Sequence, residues 1–454
     1  MIDVTIAFKG LADDEQKKLL LVDEPREFQT WLDGLDIKPA QLRHILLHLL
    51  WPDHYERTAA GHHKRSILRS YGAIVPEPPI DEDQHLLETR SRLRELLGLS
   101  DEELDFYRPP VNEWLAGEPE DQEAIRQKGQ LVFYGPPGTS KTYDALRLAE
   151  AMIRSGAIRA WGIAEYFKKR DEVPDLVASR IHRRQLHPAY SYEDFIGGLV
   201  LAEGGATTYE RGSFTQLCDS IISENEDGGM GERIPHVLIL DEMNRADLSR
   251  VLGEAFSGLE RSQRDQPIEL NGAPADEPLI IPSNLFLIGT MNLIDQSVEQ
   301  LDFALRRRFL WRHLGFERDR LLQILEQEWE SRAEEGETAG FSWDDVAGDM
   351  ESLADSAQAL NDQIAAEELL GRQYEVGHTY FADVVPILAA GLREGRRVIL
   401  WRGGEARRPA DELEQFWSLA LEPLIDEYLA GLDQHSREAT LETLREVFMQ
   451  RREG

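Results

Sequence analysis

The sequence predicts an α/β fold, a parallel sheet covered on both faces by helices, with a helical region before it and a mostly helical region after it. Three observations support this. Leu131-Val-Phe-Tyr134, His236-Val-Leu-Ile-Leu240 and Leu285-Phe-Leu-Ile-Gly289 are short unbroken apolar runs, as expected of strands buried on both faces. Helix-patterned stretches, Thr142 to Ser155 and Asp247 to Leu259, follow the first two of them. The first run also leads directly into a glycine-rich loop that ends in Lys-Thr.

In chain order, Glu15 to Leu50 carries apolar residues at helix spacing, most clearly in Gln41-Leu-Arg-His-Ile-Leu-Leu-His-Leu-Leu50. His44 and His48 stand four apart, a spacing that suits a metal, but no third ligand accompanies them, so a packed helix face is expected. A small basic helix at Lys64-Arg-Ser-Ile-Leu-Arg69 and another helix from Leu86 to Leu97 are separated by Pro76, Pro78 and Pro79. Pro109-Pro110 marks the entry into the α/β part. Ile268 to Pro274 with Leu279-Ile-Ile281 forms a hairpin pattern, and Asn271-Gly272 can supply its turn. Beyond Arg312 the pattern is helical at Leu321 to Trp329 and Leu353 to Leu370. A strand is expected at Arg397-Val-Ile-Leu-Trp401, then an amphipathic stretch from Leu413 to Leu429 and a charged helix from Thr440. The chain thus divides into a helical N-terminal region (1–110), an α/β domain (111–313) and a mostly helical C-terminal part (314–454).

The loop Gly135-Pro136-Pro137-Gly138-Thr139-Ser140-Lys141-Thr142 has the composition of a phosphate cradle. Backbone N–H groups around Gly138 to Thr142 can converge on nucleotide phosphates, aided by the positive end of the following helix. Lys141 is expected to reach the β- and γ-phosphates as a point charge, and the Thr142 hydroxyl to hold Mg²⁺. The usual pattern has glycine before the lysine. Here Ser140 stands there, so that backbone position must tolerate a Cβ.

Val237-Leu-Ile-Leu-Asp-Glu242 sets two carboxylates at the end of a buried strand, where open parallel sheets present ligands. Asp241 is expected in the Mg²⁺ shell, through water, and Glu242 as acceptor of the attacking water's proton. Thr290-Met-Asn292 ends the third strand, which places Asn292 beside Glu242 as a neutral group orienting that water. Arg306, Arg307 and Arg308 are consecutive and cannot all face one nucleotide on one subunit. An arginine lent to a neighbour's nucleotide stabilises the transferred phosphoryl group and makes hydrolysis depend on assembly.

Composition bounds the rest. A chain of 454 residues can hold two or three domains. Its net charge of −34, from 84 acidic and 50 basic residues, excludes a surface that grips nucleic acid along its whole extent. The lysines end at Lys169, a bias shared by GC-rich coding and by acidic surfaces adapted to high salt. No run approaches about 18 uninterrupted apolar residues and no basic-then-apolar leader opens the chain, so a cytoplasmic protein without membrane contact is expected. Cys218, the single cysteine, excludes an internal disulfide and suits a reducing compartment.

The phosphate loop, Leu240-Asp-Glu-Met-Asn-Arg-Ala-Asp247, Gly289-Thr-Met-Asn-Leu-Ile-Asp295 and Leu305-Arg-Arg-Arg-Phe309 together resemble an AAA+ P-loop NTPase module of the McrB branch, the GTP-hydrolysing motor of modification-dependent restriction systems. The branch's hallmark, Met-Asn-x-x-Asp, stands here as Met291, Asn292 and Asp295. Tyr190-Ser-Tyr-Glu-Asp-Phe195, Gly212-Ser-Phe214 and Gly377-His-Thr-Tyr-Phe381 are similar to family segments, so the likeness runs from Leu131 to Tyr428. Leu50-Trp-Pro-Asp-His-Tyr-Glu56 with Lys64-Arg65 is similar to a helical segment that precedes the motor in relatives.

The resemblance implies a helical lid after the α/β module, assembly into a hexameric ring, and Mg²⁺-dependent hydrolysis of GTP or ATP. It implies Lys141, Thr142, Asp241, Glu242, Asn292 and Asp295 as groups acting on the subunit's own nucleotide, with Asp302, Arg307 and Arg308 acting on a neighbour's. It also implies a separate McrC-like nuclease partner in antiviral defence, since no carboxylate and Glu-x-Lys grouping of a nuclease stands in this chain. DNA contact then falls to the partner or to the patch from Arg57 to Arg69. Two departures stand out: Gln296 where the hallmark continues with arginine, and Ser140, a position where the related MoxR group also has small residues. A MoxR-like ATPase that remodels protein complexes without a DNA role shares the loop, the carboxylates and the arginines. Met-Asn-x-x-Asp together with Tyr-Ser-Tyr-Glu-Asp-Phe favours the McrB reading.

Overall fold

The computed structural model describes residues 2–20, 25–35, 41–58, 60–112, 119–201, 207–227, 233–294, 303–396, 400–402 and 408–450. Its strands, among the described residues, are β1 (Gln130–Gly135), β2 (Ile181–Gln185), β3 (Gly197–Leu201), β4 (Thr207–Arg211), β5 (His236–Asp241), β6 (Pro267–Ile268), β7 (Leu279–Ile280), β8 (Leu285–Asn292), β9 (Leu310–His313), β10 (Trp401–Arg402) and β11 (Arg408–Pro409). Five of them form one parallel sheet in the order β2-β5-β8-β1-β9. The remaining six form three antiparallel pairs, β3 with β4, β6 with β7 and β10 with β11.

The apolar strands lie at the centre of this sheet, and their alternation builds two cores. Leu131, Phe133, Val237, Ile239, Phe286 and Ile288 face the layer that contains the helix Lys141–Trp161. Val132, Leu238, Leu240, Leu285 and Leu287 face the other layer, with Phe195, Phe214 and Leu252. Successive side chains of a strand point to opposite faces, so a strand that is apolar throughout serves both. The edge strands β2 and β9 read Ile-His-Arg-Arg-Gln and Leu-Trp-Arg-His. Each lacks a neighbour on one side and is only partly buried, so neither shows the apolar run that marks the centre.

The helix expected from Asp247 to Leu259 is divided into Leu248–Leu252 and Ala255–Gly258. The break is at Gly253, whose φ is 47°, and a Cβ there would lie 2.4 Å from the Tyr192 ring. Of the strand expected at Arg397 to Trp401, residues 397–399 lie outside the described residues, and Trp401–Arg402 pairs with Arg408–Pro409.

The C-terminal helices share their own core. Leu321, Leu325 and Trp329 from the helix Arg318–Glu334 meet Leu353, Leu360 and Ile364 from Trp343–Ala366, together with Phe381, Trp417 and Phe448. At the other end, Phe28, Leu32, Leu47, Trp51 and Tyr55 form a small aromatic core. Ile67, Tyr71, Leu86 and Leu93 instead join the apolar layer of the central sheet.

Both early histidines serve the fold. His48 Nδ1 lies 2.7 Å from the Tyr55 carbonyl, and His44 Nδ1 lies 3.1 Å from Lys64 Nζ. Lys64 is itself buried and ion-paired with Asp83, while Arg57 pairs with Asp105. Arg57 and Lys64 are therefore used internally, while Arg65 and Arg69 have exposed side chains. Among the described residues, no helix is long and apolar enough to cross a membrane.

A buried pair broken from one side leaves an uncompensated charge. Lys64→Met should lower the stability of this region by about 3–5 kcal/mol in chemical denaturation, and adding Asp83→Leu should restore most of the loss. If the double variant is no more stable than the single, the pair is not the cause.

Candidate functional site

The phosphate loop is shaped by contacts that exclude side chains. A Cβ on Gly135 would lie 2.1 Å from the Leu314 carbonyl oxygen, where the chain leaves β9 for the C-terminal helices. Gly138 has φ 75°, and a Cβ there would lie 2.8 Å from Thr379 Oγ1 and from the Tyr380 ring. Ser140 also takes the left-handed conformation, with φ 62° and ψ 25°. The position that usually carries glycine thus keeps its glycine-like backbone with a Cβ present, at a cost of about 1–2 kcal/mol.

Within the loop, Thr139 Oγ1 donates to the Pro136 carbonyl at 2.9 Å. Lys141 is buried and folds back, its Nζ donating to the carbonyls of Pro136 at 2.5 Å and Gly135 at 3.2 Å. Nζ also lies 3.4 Å from Thr139 Oγ1, so the ammonium is held at the loop's centre by the loop's own oxygens.

Parallel pairing then brings the remaining groups to the same rim of the sheet. Thr142 Oγ1 donates to Asp241 Oδ1 at 3.1 Å across 99 residues of sequence. Thr290 Oγ1 donates to the same oxygen at 3.0 Å, and Arg183 Nη2 donates to Oδ2 at 2.6 Å. Glu242 sits at φ 53°, its N–H donating to Thr290 Oγ1 at 3.1 Å. Gln185 Nε2 donates to Glu242 Oε2 at 2.9 Å, and Arg245 Nη2 lies 3.2 Å from Oε1. Two non-glycine residues with positive φ, Ser140 and Glu242, therefore flank the Thr142–Asp241 pair. Such local strain persists where the surroundings over-determine it.

Sequence reasoning gave no role to four participants, Thr290, Arg183, Gln185 and Arg245. Thr290 is the one hydroxyl in a strand that is otherwise apolar up to Met291, and the register Leu240↔Gly289 places it next to Asp241. Arg183 and Gln185 lie on an edge strand without apolar patterning, so nothing local pointed to them. Thr290, not Asn292, makes the hydrogen bonds that bridge Asp241 and Glu242. Asn292 is aligned with Gly135 of β1, its carbonyl accepts from Asn244 Nδ2 at 2.8 Å, and it lines a cavity of about 720 Å³ with Pro137, Tyr380 and Tyr428. Asp295 and Asp302 lie outside the described residues.

The arginines occupy the opposite rim. They are on the helix Phe303–Arg308, immediately before β9 begins, whereas the phosphate loop follows the end of β1, which runs parallel to β9. Arg308 lies over the Phe256 ring at 4.0 Å and pairs with Glu260 at 3.2 Å. Arg307 is exposed and has no ion pair among the described residues. The two candidates, equivalent in sequence, are distinct in the fold.

The C-terminal helices close over the loop. Thr379 N–H donates to the Gly138 carbonyl at 3.1 Å, and a Cβ on Gly377 would lie 2.1 Å from the Gly138 carbonyl carbon. Arg320 grips Asp144 with two hydrogen bonds, of 2.7 and 2.5 Å. Next to this contact is a cavity of about 650 Å³ lined by Asp121, Tyr143, Glu317, Asp319, Gln323 and Glu328, among others. His378 is buried and stacks on Phe316 at 5.1 Å, and its Nε2 accepts from the Glu317 N–H at 2.8 Å. Burial, with the Arg320 charge adding to it, pushes its pKa down to about 4.

The Thr142 hydroxyl and the Asp241 carboxylate are hard oxygen donors on adjacent elements, a set that fits Mg²⁺. Among the described residues no group of three or more His, Cys, Asp or Glu could hold a metal. A cation at this pair would complete its shell with phosphate oxygens and water, as Mg²⁺ commonly does.

Residues 171–309 match the AAA domain of the dynein-related subfamily, and residues 352–436 match the McrB alpha-helical lid domain. The Type IV methyl-directed restriction enzyme EcoKMcrB subunit of Escherichia coli (strain K12) is 30% identical over 274 residues, 59% of this chain and 49% of that protein. The Type II restriction enzyme BsuMI component YdiS of Bacillus subtilis (strain 168) is 36% identical over 97 residues, 18% of this chain and 28% of that protein. The chain thus spans about half the length of the first of these curated relatives. Among solved structures, a Thermotoga maritima RuvB mutant covers 73% of this chain and 81% of its own, at 15% identity and a TM-score of 0.32, too loose for a comparison of sites.

Sheet, loop and family matches define the class, an AAA+ P-loop NTPase fold. More particularly, the chain carries a McrB-like AAA domain joined to a McrB helical lid.

Two outcomes are expected. Ser140→Gly should raise the stability of the ligand-free protein by about 0.5–1 kcal/mol, the relieved left-handed strain less glycine's larger unfolded entropy. A thermal melt that shows no gain would mean that the Ser140 side chain compensates its own strain. His378 is held neutral in the fold, with a pKa of about 4 against an ordinary 6.5, so the unfolded chain binds its proton first. Its contribution is full above pH 6.5 and is lost as pH falls towards 4, and His378→Gln should flatten the stability profile in that window.

Proposed function

We propose that this protein is a ring-forming, Mg²⁺-dependent NTPase that prefers GTP and serves as the motor subunit of an antiviral restriction system, stimulating a separate McrC-like nuclease. The observation that carries the reading is the meeting of Thr142 and Asp241 at 3.1 Å, next to Lys141 and Glu242. These are the groups that phosphoryl transfer to water requires at one point: a cation for the phosphates, oxygen donors for a metal, and a base. The McrB lid match and the E. coli relative support the restriction context.

In this reading Lys141 exchanges its bonds to the Pro136 and Gly135 carbonyls for phosphate oxygens. Thr142 and Asp241 would hold Mg²⁺, which would supply charge neutralisation for the β- and γ-phosphates. Glu242 takes the proton of the attacking water, its carboxylate oriented by Gln185 and Arg245. Thr290 fixes the spacing of the two carboxylates, and Asn292 and Asp295 assist at the γ-phosphate side. Arg307, on the opposite rim and exposed, is the first choice for the arginine that reaches a neighbour's nucleotide, with Asp302 and Arg308 supporting it. A hexameric ring places each such rim against the next subunit's phosphate loop.

The base would occupy the cavity of about 650 Å³ beside Tyr143 and Arg320. Guanine presents two adjacent N–H donors on its pairing edge, and the carboxylates of Glu317, Asp319 and Glu328 in that cavity are acceptors. This favours GTP over ATP. The acidic balance of the chain leaves DNA contact chiefly to the partner.

GTP and ATP turnover, measured side by side with and without an McrC-like partner, tests the reading. Glu242→Gln should cut turnover by at least about 10²-fold while nucleotide binding persists. Arg307→Ala should lower hydrolysis by about 10³-fold without loss of binding, and mixed rings should regain activity when wild-type subunits supply the arginine. Unchanged turnover in both Arg307→Ala and Arg308→Ala would remove the shared site.

A further inference from the structure

The edge strand β2 places a cation on Asp241 that nucleotide chemistry does not call for. Residues of a strand two apart share a face, so Arg183 and Gln185 both point towards the end of β5, where Gln185 is aligned with Asp241. Gln185 engages Glu242, and Arg183 engages Asp241 Oδ2 at 2.6 Å. The other oxygen, Oδ1, already accepts from Thr142 and Thr290. Every oxygen of the carboxylate assigned to the metal is thus occupied by a protein donor.

The two ends of the ion pair differ in freedom. The Asp241 side chain is 10% exposed, whereas that of Arg183 is 51% exposed. Asp241 is therefore fixed, and Arg183 can leave into solvent. Lys141 already supplies the cation of the phosphate loop, so Arg183 is not needed for the phosphates.

We propose that Arg183 is a resident counter-ion of Asp241 that competes with Mg²⁺ and sets the metal concentration at which the site loads. Resting on the nucleotide-site reading above, this assigns Arg183 as a positioning residue that acts through Asp241. Without metal, Arg183 neutralises and orients the carboxylate. When the metal arrives, the guanidinium either departs, losing its hydrogen bond, or stays and repels a like charge. Both routes weaken metal binding, so removing the charge should strengthen it.

The test uses the full chain, stripped of metal and saturated with a non-hydrolysable GTP analogue, with an ATP analogue in parallel. Mn²⁺ is titrated in and free Mn²⁺ is read by electron paramagnetic resonance. Arg183→Gln should tighten Mn²⁺ binding by about tenfold, and Arg183→Met should do the same, as expected for a like charge removed from a few ångströms away. Arg183→Lys should stay near wild type. Arg184→Gln is the control for long-range charge: its guanidinium donates to the Arg183 carbonyl and does not face the carboxylates, so its shift should be under about threefold. The Mg²⁺ concentration for half-maximal turnover should fall in Arg183→Gln by the factor seen with Mn²⁺. Binding unchanged or weakened in both neutral variants overturns the proposal, as does an equal gain in Arg184→Gln. If wild-type protein binds neither analogue nor Mn²⁺, the nucleotide-site reading fails and this proposal fails with it. Normal wild-type binding with unshifted variants removes the role of Arg183 alone.

Discussion

The Asp241 carboxylate is where the central sheet and the phosphate loop are joined. Through Thr142 it holds the first turn of the loop helix, through Thr290 it holds β8, and through Arg183 it holds β2. Charge-assisted hydrogen bonds such as that from Arg183 are stronger than neutral ones and add geometric specificity to their energy. The strained backbone of Glu242, the next residue, is held by the same network through the Thr290 hydroxyl. The carboxylate assigned to catalysis is therefore pre-positioned by the one assigned to the metal.

The second constraint is steric. The lid reaches the phosphate loop only because Gly138 and Gly377 lack side chains at the point of closest approach. Backbone contact there, with Thr379 on the Gly138 carbonyl and Arg320 on Asp144, ties lid position to loop conformation. A displacement of the loop would be felt by the lid through these contacts, and under the proposed function this is the route by which nucleotide state would reach the C-terminal helices.

Arginine carries different work on different surfaces of this acidic chain. Arg183 and Arg245 touch the two carboxylates, Arg320 closes the lid, and Arg308 stabilises its own helix against Phe256 and Glu260. Arg307 is left facing outward. Planar guanidinium groups with several donors suit such paired and stacked contacts better than the point charge of lysine.

The sequence by itself determined the buried centre of the sheet, the phosphate loop and the Asp241–Glu242 pair. Each is a local pattern, a continuous apolar run or a motif on adjacent residues, and such patterns need no partner to be read. Only the tertiary structure decided that β2 and β9 are strands, that Thr290 bridges the carboxylates and that Arg307 and Arg308 differ. Edge strands are half solvated and so lack the apolar signal, and the worth of a single threonine or arginine depends on what lies across the sheet from it. Register and burial are properties of chain segments brought together from 50 to 100 positions apart, as the separations of 58 for Arg183 and Asp241 and 99 for Thr142 and Asp241 show. Those separations put the pairing out of reach of any one stretch of sequence, because it is the packing of the whole sheet that sets which residue faces which.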